Sequence, residues 1–260
     1  MIRNPRLQLA VEIAREAGAL TLSHFQDAAL AVDHKADQSP VTLADRNAET
    51  HLRRRIAEAY PEDGILGEEF GAEREGSAHT WILDPIDGTR TFVRGVPLYG
   101  VMIAVRVDGV PTGGVIHMPA LRETVCAWSG EGAWWLRDDG DPVPARVSTC
   151  DALDGALFCT TKASGFAERN RADAYRAVER AAGMTRTWGD CYGYVLVATG
   201  RAEVMIDAEA AVWDLAPVLP ILAEAGGRFT SWSGEVTAEG GDGVGTNGRL
   251  HPAVLELLRA

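Results

Sequence analysis

A chain of 260 residues with 46% hydrophobic and 24% charged side chains can bury a sizeable core, as one domain or as two fused halves with no linker between them. Its formal charge of −12, with no basic run longer than Arg53-Arg54-Arg55, excludes nucleic acid as a natural partner, and the triplet reads as a solvated helix face. No window approaches the roughly 18 apolar residues of a membrane span, and Met1-Ile2-Arg3-Asn4-Pro5 has no signal-peptide core. Four cysteines without paired spacing agree with a cytoplasmic location.

Leu7, Ala10, Ala14, Ala17 and Leu20 recur at helical spacing and predict an amphipathic helix from residue 6 to about 25. Thr42, three residues before Asp45, opens a second helix in the manner of a capping box, with Ala48, Leu52, Ile56 and Ala59 as its stripe and Pro61 as its stop. Ile65-Leu66 leads into Gly67-Glu68-Glu69. Trp81-Ile82-Leu83 reads as a strand that ends at the turn Asp84-Pro85-Ile86-Asp87-Gly88-Thr89. Val101, Ile103, Val105 and Val107 alternate over 100–109, and 113–118, 123–128 and 132–136 extend this into an antiparallel meander. Trp134-Trp135 fits packing better than binding. Helices are predicted over 169–182, 192–199, 215–225 and 252–258, and extended segments over 184–188, 204–207 and 228–232. Alternating blocks of helix and strand imply layered α/β packing.

Two carboxylates three residues apart at a Pro/Gly corner suit a hard cation. Gly88 lets the backbone N–H groups of Gly88 and Thr89 approach an anion. Taken singly, Asp-Pro and Asp-Gly are common turn dipeptides, Glu68 is a surface glutamate, and Asp214 is an acidic residue favoured in the first turn of a helix. An all-oxygen set points to Mg²⁺: neither the four cysteines nor the six histidines show zinc spacing, and no EF-hand loop occurs. Carboxylates converging from distant parts of the chain repel one another unless divalent cations neutralise them.

The string from Trp81 to Thr89 resembles the second metal-binding signature of the inositol monophosphatase family of Mg²⁺-dependent phosphatases, and Gly67-Glu68-Glu69 and Trp213-Asp214 stand in the family's order. The resemblance implies an α-β-α-β-α sandwich forming a single domain over 1–260. It implies a metal-binding half of about 1–145, a substrate-specificity half of about 146–260, and a homodimer to which the apolar meander 100–128 could supply the interface. For the site it implies Glu68, Asp84 and the Ile86 carbonyl on one Mg²⁺, and Asp84, Asp87 and Asp214 on a second, with two or three ions per site. Thr89 and Glu68 would orient the attacking water, Asp45 would support Thr89, and Lys35 would lie near the metals.

The run Arg186-Thr187-Trp188-Gly189-Asp190-Cys191-Tyr192-Gly193-Tyr194 resembles the histidinol-phosphate phosphatase branch of that family. Asp190 and Asp207 align with positions that touch the substrate alcohol, Asp87, Gly88 and Thr89 face the ester, and Arg186 reaches the phosphate or anchors a facing loop. An acidic wall suits the ammonium and imidazole of histidinol phosphate. The other role open to Asp190 is N-cap of the 192–199 helix. Thr91 stands where that branch usually has Asn, which bears on a supporting hydrogen bond and not on the metals. The resulting expectation is a phosphoric monoester hydrolase of histidine biosynthesis acting on a small phosphate ester. Inositol 1-phosphate or a nucleotide phosphate are the alternative substrates. A non-catalytic metal- or phosphate-binding protein is the remaining reading, against which the intact set Glu68, Asp84, Asp87, Thr89 and Asp214 argues.

Overall fold

The structure, a computed structural model, describes residues 2–27, 30–34, 40–137 and 140–259. Helix α1 (Pro5–Leu22) starts where the Asn4 side chain accepts the N–H groups of Arg6 and Leu7. A ribbon of β1 (Val32–His34) and β2 (Pro40–Thr42) leads to α2 (Leu43–Ala59). The expected capping box opens α2: Asp45 accepts both the N–H and the hydroxyl of Thr42, whose oxygen accepts the Ala44 N–H.

Strands β3 (Gly64–Gly67), β4 (Gly71–Glu73) and β5 (His79–Asp87) follow, then a single helical turn, α3 (Thr89–Phe92). The meander comprises β6 (Gly100–Val107), β7 (Val110–Met118), β8 (Glu123–Trp128), β9 (Gly132–Arg137) and β10 (Val143–Pro144). These strands form one eight-stranded sheet in the order β10-β9-β8-β7-β6-β5-β3-β4, antiparallel except for the β3–β5 pair. The rest of the chain runs β11 (Leu157–Thr160), α4 (Ala163–Glu168), α5 (Ala172–Ala181), β12 (Met184–Arg186), α6 (Asp190–Ala198), β13 (Val204–Asp207), α7 (Val212–Leu215), α8 (Val218–Ala225), β14 (Arg228–Thr230), β15 (Gly243–Thr246) and α9 (His251–Arg259). Its sheet has the order β12-β11-β13-β15-β14.

Three apolar clusters define the layers. Leu7, Ile13 and Leu52 of α1 and α2 pack on Trp81 and Ile103, on one face of the large sheet. On the opposite face Ile82, Met102 and Ile116 meet Tyr194, Val195 and Leu222 of α6 and α8, which also meet Met205 and Phe229 of the small sheet. Beyond that sheet, Phe158, Ile206 and Val244 pack against Val178 of α5 and Val254 of α9. The result is the α-β-α-β-α sandwich. Strand β6 is buried on both faces, Val101 and Ile103 to one side and Met102 and Ala104 to the other. Most of the meander's apolar residues are covered within the chain, while Val110, at the β6–β7 turn, is exposed.

Several boundaries differ from the sequence reading. The helix expected over 169–182 is two: α4 stops at Asn170, whose φ of 59° is left-handed, with the Arg171 N–H returning to the Phe166 carbonyl. The helix expected over 215–225 is split into α7 and α8 at Pro217, which has no N–H to give the preceding turn. Arg54 pairs with Glu58 on the surface, but Arg53 reaches Glu49 and Glu73, and Arg55 reaches Glu12 and Glu16 of α1. Arg53 and Arg55 therefore tie α2 to its neighbours, and Arg54 alone of the three faces solvent as expected. Trp135 packs as expected, its indole N–H on Glu123 and the guanidinium groups of Arg137 and Arg201 against its ring. Among the described residues no helix is long and apolar enough to cross a membrane.

The middle helical layer sits so close to the large sheet that a Cβ on Gly114 of β7 would overlap the Pro217 carbonyl. Gly114→Ala is expected to destabilise the fold by about 1–3 kcal/mol through overpacking. Chemical denaturation checks this; an unchanged midpoint would show that α8 can retreat freely.

Candidate active site

Residues three apart on a regular strand point to opposite faces of the sheet. On β5, Asp84 pairs with Met102 and Asp87 with Gly100, so three steps oppose two, and the resulting bulge lets both carboxylates converge. The strand does not end at Asp84 as expected but runs to Asp87, because the bulge accommodates Pro85 without a lost ladder bond. Asp214, in the first turn of α7, comes in from the other half of the chain. Carboxylate oxygens of Asp84, Asp87 and Asp214 lie within 4.8 Å of one another.

Each of the three is aimed by a backbone N–H. Asp84 accepts from Ile86 at 3.0 Å, Asp214 from Ala211 at 2.7 Å, and Asp87 from Cys191 at the start of α6. The Glu68 N–H bonds the Leu83 carbonyl, prolonging the β3–β5 ladder, and its carboxyl group lies against that of Asp84. Burial, followed by the charges of Glu68, Asp87 and Asp214, pushes Asp84 well above the ordinary carboxylate range. Burial and the charges of Asp190 and Asp214 do the same to Asp87, and burial lifts Asp214 to about 7 against the opposing Ala211 N–H. A set of buried acidic oxygens that raise one another's proton affinity is what a divalent, oxygen-seeking cation relieves. The donor set fits Mg²⁺.

Beside the cluster, the Thr89 hydroxyl is within hydrogen-bonding distance of the Ile86 carbonyl, 3.0 Å, and Asp45, 3.3 Å. Asp45 is buried, which raises its pKa against the Thr42 donors. Gly88, between Asp87 and Thr89, has φ = 82°, and a Cβ there would stand 3.0 Å from Asp190.

A further acidic wall faces the cluster. Asp87, Asp190, Asp207, Glu209 and Asp214 share one cavity of about 40 Å³ with Thr161, and among the described residues no Lys or Arg lines it. Asp190 has a left-handed φ of 49°, its N–H given to Thr161 and its carboxylate accepting the Thr91 hydroxyl at 3.3 Å. It makes no cap hydrogen bond to α6, so the N-cap reading does not hold. Thr91 itself supplies a hydrogen bond at the position where the related branch usually has Asn. The Thr161 hydroxyl donates to Asp207 at 2.6 Å, yet burial still lifts Asp207 to about 7.

Of the expected residues, Glu68, Asp84, Asp87, Asp214, Asp45, Thr89, Gly88, the Ile86 carbonyl, Asp190 and Asp207 are brought into this one region. Arg186 is not: exposed, it donates to the Thr185 carbonyl, lies near the Trp188 ring, and does not line the acidic cavity. Lys35 lies outside the described residues. Thr161 and Glu209 were not anticipated. In the sequence Thr161 merely follows a short apolar run, and Glu209 lies in the loop after Asp207, with no motif to mark either.

The sequence profile of the inositol monophosphatase family matches residues 3–260. A histidinol-phosphatase from Chlorobaculum parvum is 44% identical over 240 residues, 92% of this chain and 91% of its own. A histidinol-phosphatase from Mycobacterium tuberculosis is 39% identical over 254 residues, covering 98% of each. Among solved structures, an inositol monophosphatase from Zymomonas mobilis superposes with a TM-score of 0.86 at 31% identity, over 99% of this chain and 100% of that one.

Asp207 and Asp214 hold their protons more tightly in the fold than in the unfolded chain. Stability of the metal-free protein therefore falls as pH rises from about 4, the unfolded carboxylate value, to about 7. Mg²⁺ must displace the proton of Asp214, so its stabilising shift in melting temperature is expected to be larger near about pH 8 than near about pH 5. Thermal scans with Mg²⁺ and with chelator test this; equal shifts at both would remove the cluster as the metal site.

Proposed function

Because the chain belongs to the inositol monophosphatase family, we propose that it is a Mg²⁺-dependent phosphomonoesterase that hydrolyses histidinol phosphate to histidinol and phosphate. The observation that carries the choice of ester is the acidic cavity: the four carboxylates Glu68, Asp84, Asp87 and Asp214 suffice for metals, and Asp190, Asp207 and Glu209 remain to face a cationic alcohol. A polyol needs hydrogen-bonding partners but no such excess of negative charge. The similarity to two histidinol-phosphatases supports the same choice.

In this reading Glu68, Asp84 and the Ile86 carbonyl would hold one ion, and Asp84, Asp87 and Asp214 would hold another. Mg²⁺ there supplies the charge that makes water more acidic and offsets the phosphate oxygens. The protein's own groups do the rest. With its proton directed to Asp45 and the Ile86 carbonyl, the Thr89 oxygen keeps lone pairs for a proton of the attacking water, and Glu68 accepts the other. The first-turn N–H groups of Gly88 and Thr89 have no intrahelical partner and seat the phosphate together with the Asp87 region. Asp190 and Asp207 take the ammonium or imidazolium, and Arg186 anchors the loop before α6. The N-terminal half, about 1–145, thus supplies most of the metal site, and the half from about 146 to 260 supplies the alcohol pocket and Asp214. We place the enzyme in the cytoplasm as a homodimer.

Phosphate release from histidinol phosphate, inositol 1-phosphate and phosphoadenosine phosphate, with Mg²⁺ and with chelator, tests the assignment. Release is expected to be fastest from histidinol phosphate and lost with chelator; a preference for either other ester would overturn the substrate, and no release at all would overturn the enzyme. Asp87→Asn is expected to cost several powers of ten in kcat through lost metal charge. Asp190→Ala is expected to raise KM for histidinol phosphate about 10–100-fold while barely affecting inositol 1-phosphate. Equal losses on both esters would remove the charge argument.

A further inference from the structure

Glu49 lies on α2, one turn after Asp45, and its side chain has no exposed surface. Burying a carboxylate is costly unless its oxygens are satisfied. Here Oε2 accepts the Glu69 N–H at 2.7 Å, and Oε1 accepts the Phe70 N–H at 3.2 Å and the Arg53 Nε–H at 2.7 Å. Two of the three donors are the backbone amides that directly follow Glu68. Arg53 extends the grip by donating to the Gly71 carbonyl and, at 2.8 Å, to Glu73.

Gly67 makes this approach possible, since a Cβ there would overlap the Glu49 carboxylate. The segment carrying Glu68 is thus held in front by its own N–H on Leu83 and behind by Glu49. Glu49 stands outside the three-carboxylate cluster. Residues four apart lie on the same face of a helix. Asp45 therefore holds Thr89 while Glu49, one turn on, holds the segment bearing Glu68.

We propose that Glu49 is a positioning residue for the hydrolysis: by gripping the amides of Glu69 and Phe70 it fixes the Glu68 carboxyl group against Asp84, so that α2 sets the spacing between Glu68 and Thr89. This rests on the assignment of Glu68 and Thr89 to the metal and the attacking water. Glu49→Gln keeps the shape, but an amide offers one acceptor oxygen where the carboxylate uses two, so one backbone N–H loses its partner.

The expected result for Glu49→Gln is a fall of about 10–100-fold in kcat and in Mg²⁺ affinity with KM for the ester nearly unchanged. Hydrogen exchange at the Glu69 and Phe70 amides should be faster in the metal-free protein. Leu52→Ala, buried on the same helix, should lower the melting temperature without moving kcat or Mg²⁺ affinity. If Glu49→Gln does not fold, Arg53→Met, which loosens the same grip, should shift exchange and Mg²⁺ affinity in the same direction. Wild-type exchange and Mg²⁺ affinity in the folded variant, or a Leu52→Ala variant that reproduces the loss of kcat, overturns the proposal. An active Glu68→Gln variant with unaltered Mg²⁺ affinity would overturn the reading of the site and this proposal with it. An inactive Glu68→Gln beside an unaffected Glu49→Gln overturns the positioning role alone.

Discussion

The fold is organised around a repulsion. Asp84, Asp87 and Asp214 are crowded together with Glu68 against them, and Asp190 and Asp207 stand across a small cavity. Two unit charges about 4 Å apart cost about 4 kcal/mol at an effective dielectric constant of 20. A whole domain is stable by only about 5–15 kcal/mol. Such a cluster is tolerated only if it holds protons or cations, and the upward displacement of its carboxyl groups measures that need. The bulge in β5 is the device that creates the crowding, since without it the two strand carboxylates would part to opposite faces.

Helix α6 links the two chemical duties of the site. The N–H of Cys191 bonds Asp87 in the cluster, while the neighbouring Asp190 turns its carboxylate towards Thr91 and the acidic wall. The carboxylate cluster and the acidic wall thus share one rigid element buried between both sheets. The left-handed backbone of Asp190 is the local strain that aims the side chain away from a capping role, and Thr161 holds its N–H in that posture.

Much of this was legible in the residues. The capping box at Thr42, the antiparallel meander and the convergence of Asp84, Asp87 and Asp214 follow from local chemistry or from motif order. What escaped has physical reasons. Strand β11 is four residues long and buried on both faces, Phe158 to one side and Cys159 to the other, so it shows no alternation. Strand β15 contains Gly243 and Gly245, which read as loop but are small because Tyr194, Phe229 and Leu222 press on them. Pro217 and Asn170 split helices whose apolar spacing looked continuous. Arg53 and Arg55 looked like solvent-facing charge, because nothing in the sequence shows that Glu49 or Glu16 lies within reach.

The covering of the large sheet's inner face by α6 and α8 has a consequence for synthesis. All eight strands of that sheet have left the ribosome once residue 144 emerges, yet the helices that cover Met102, Ile116 and Val125 end only at Ala225. At usual elongation speeds the nascent sheet keeps an uncovered apolar face for on the order of ten seconds. Its strands pair with near neighbours and can form during that interval, so the half-made protein is an ordered, sticky surface for which chaperones are the natural escort.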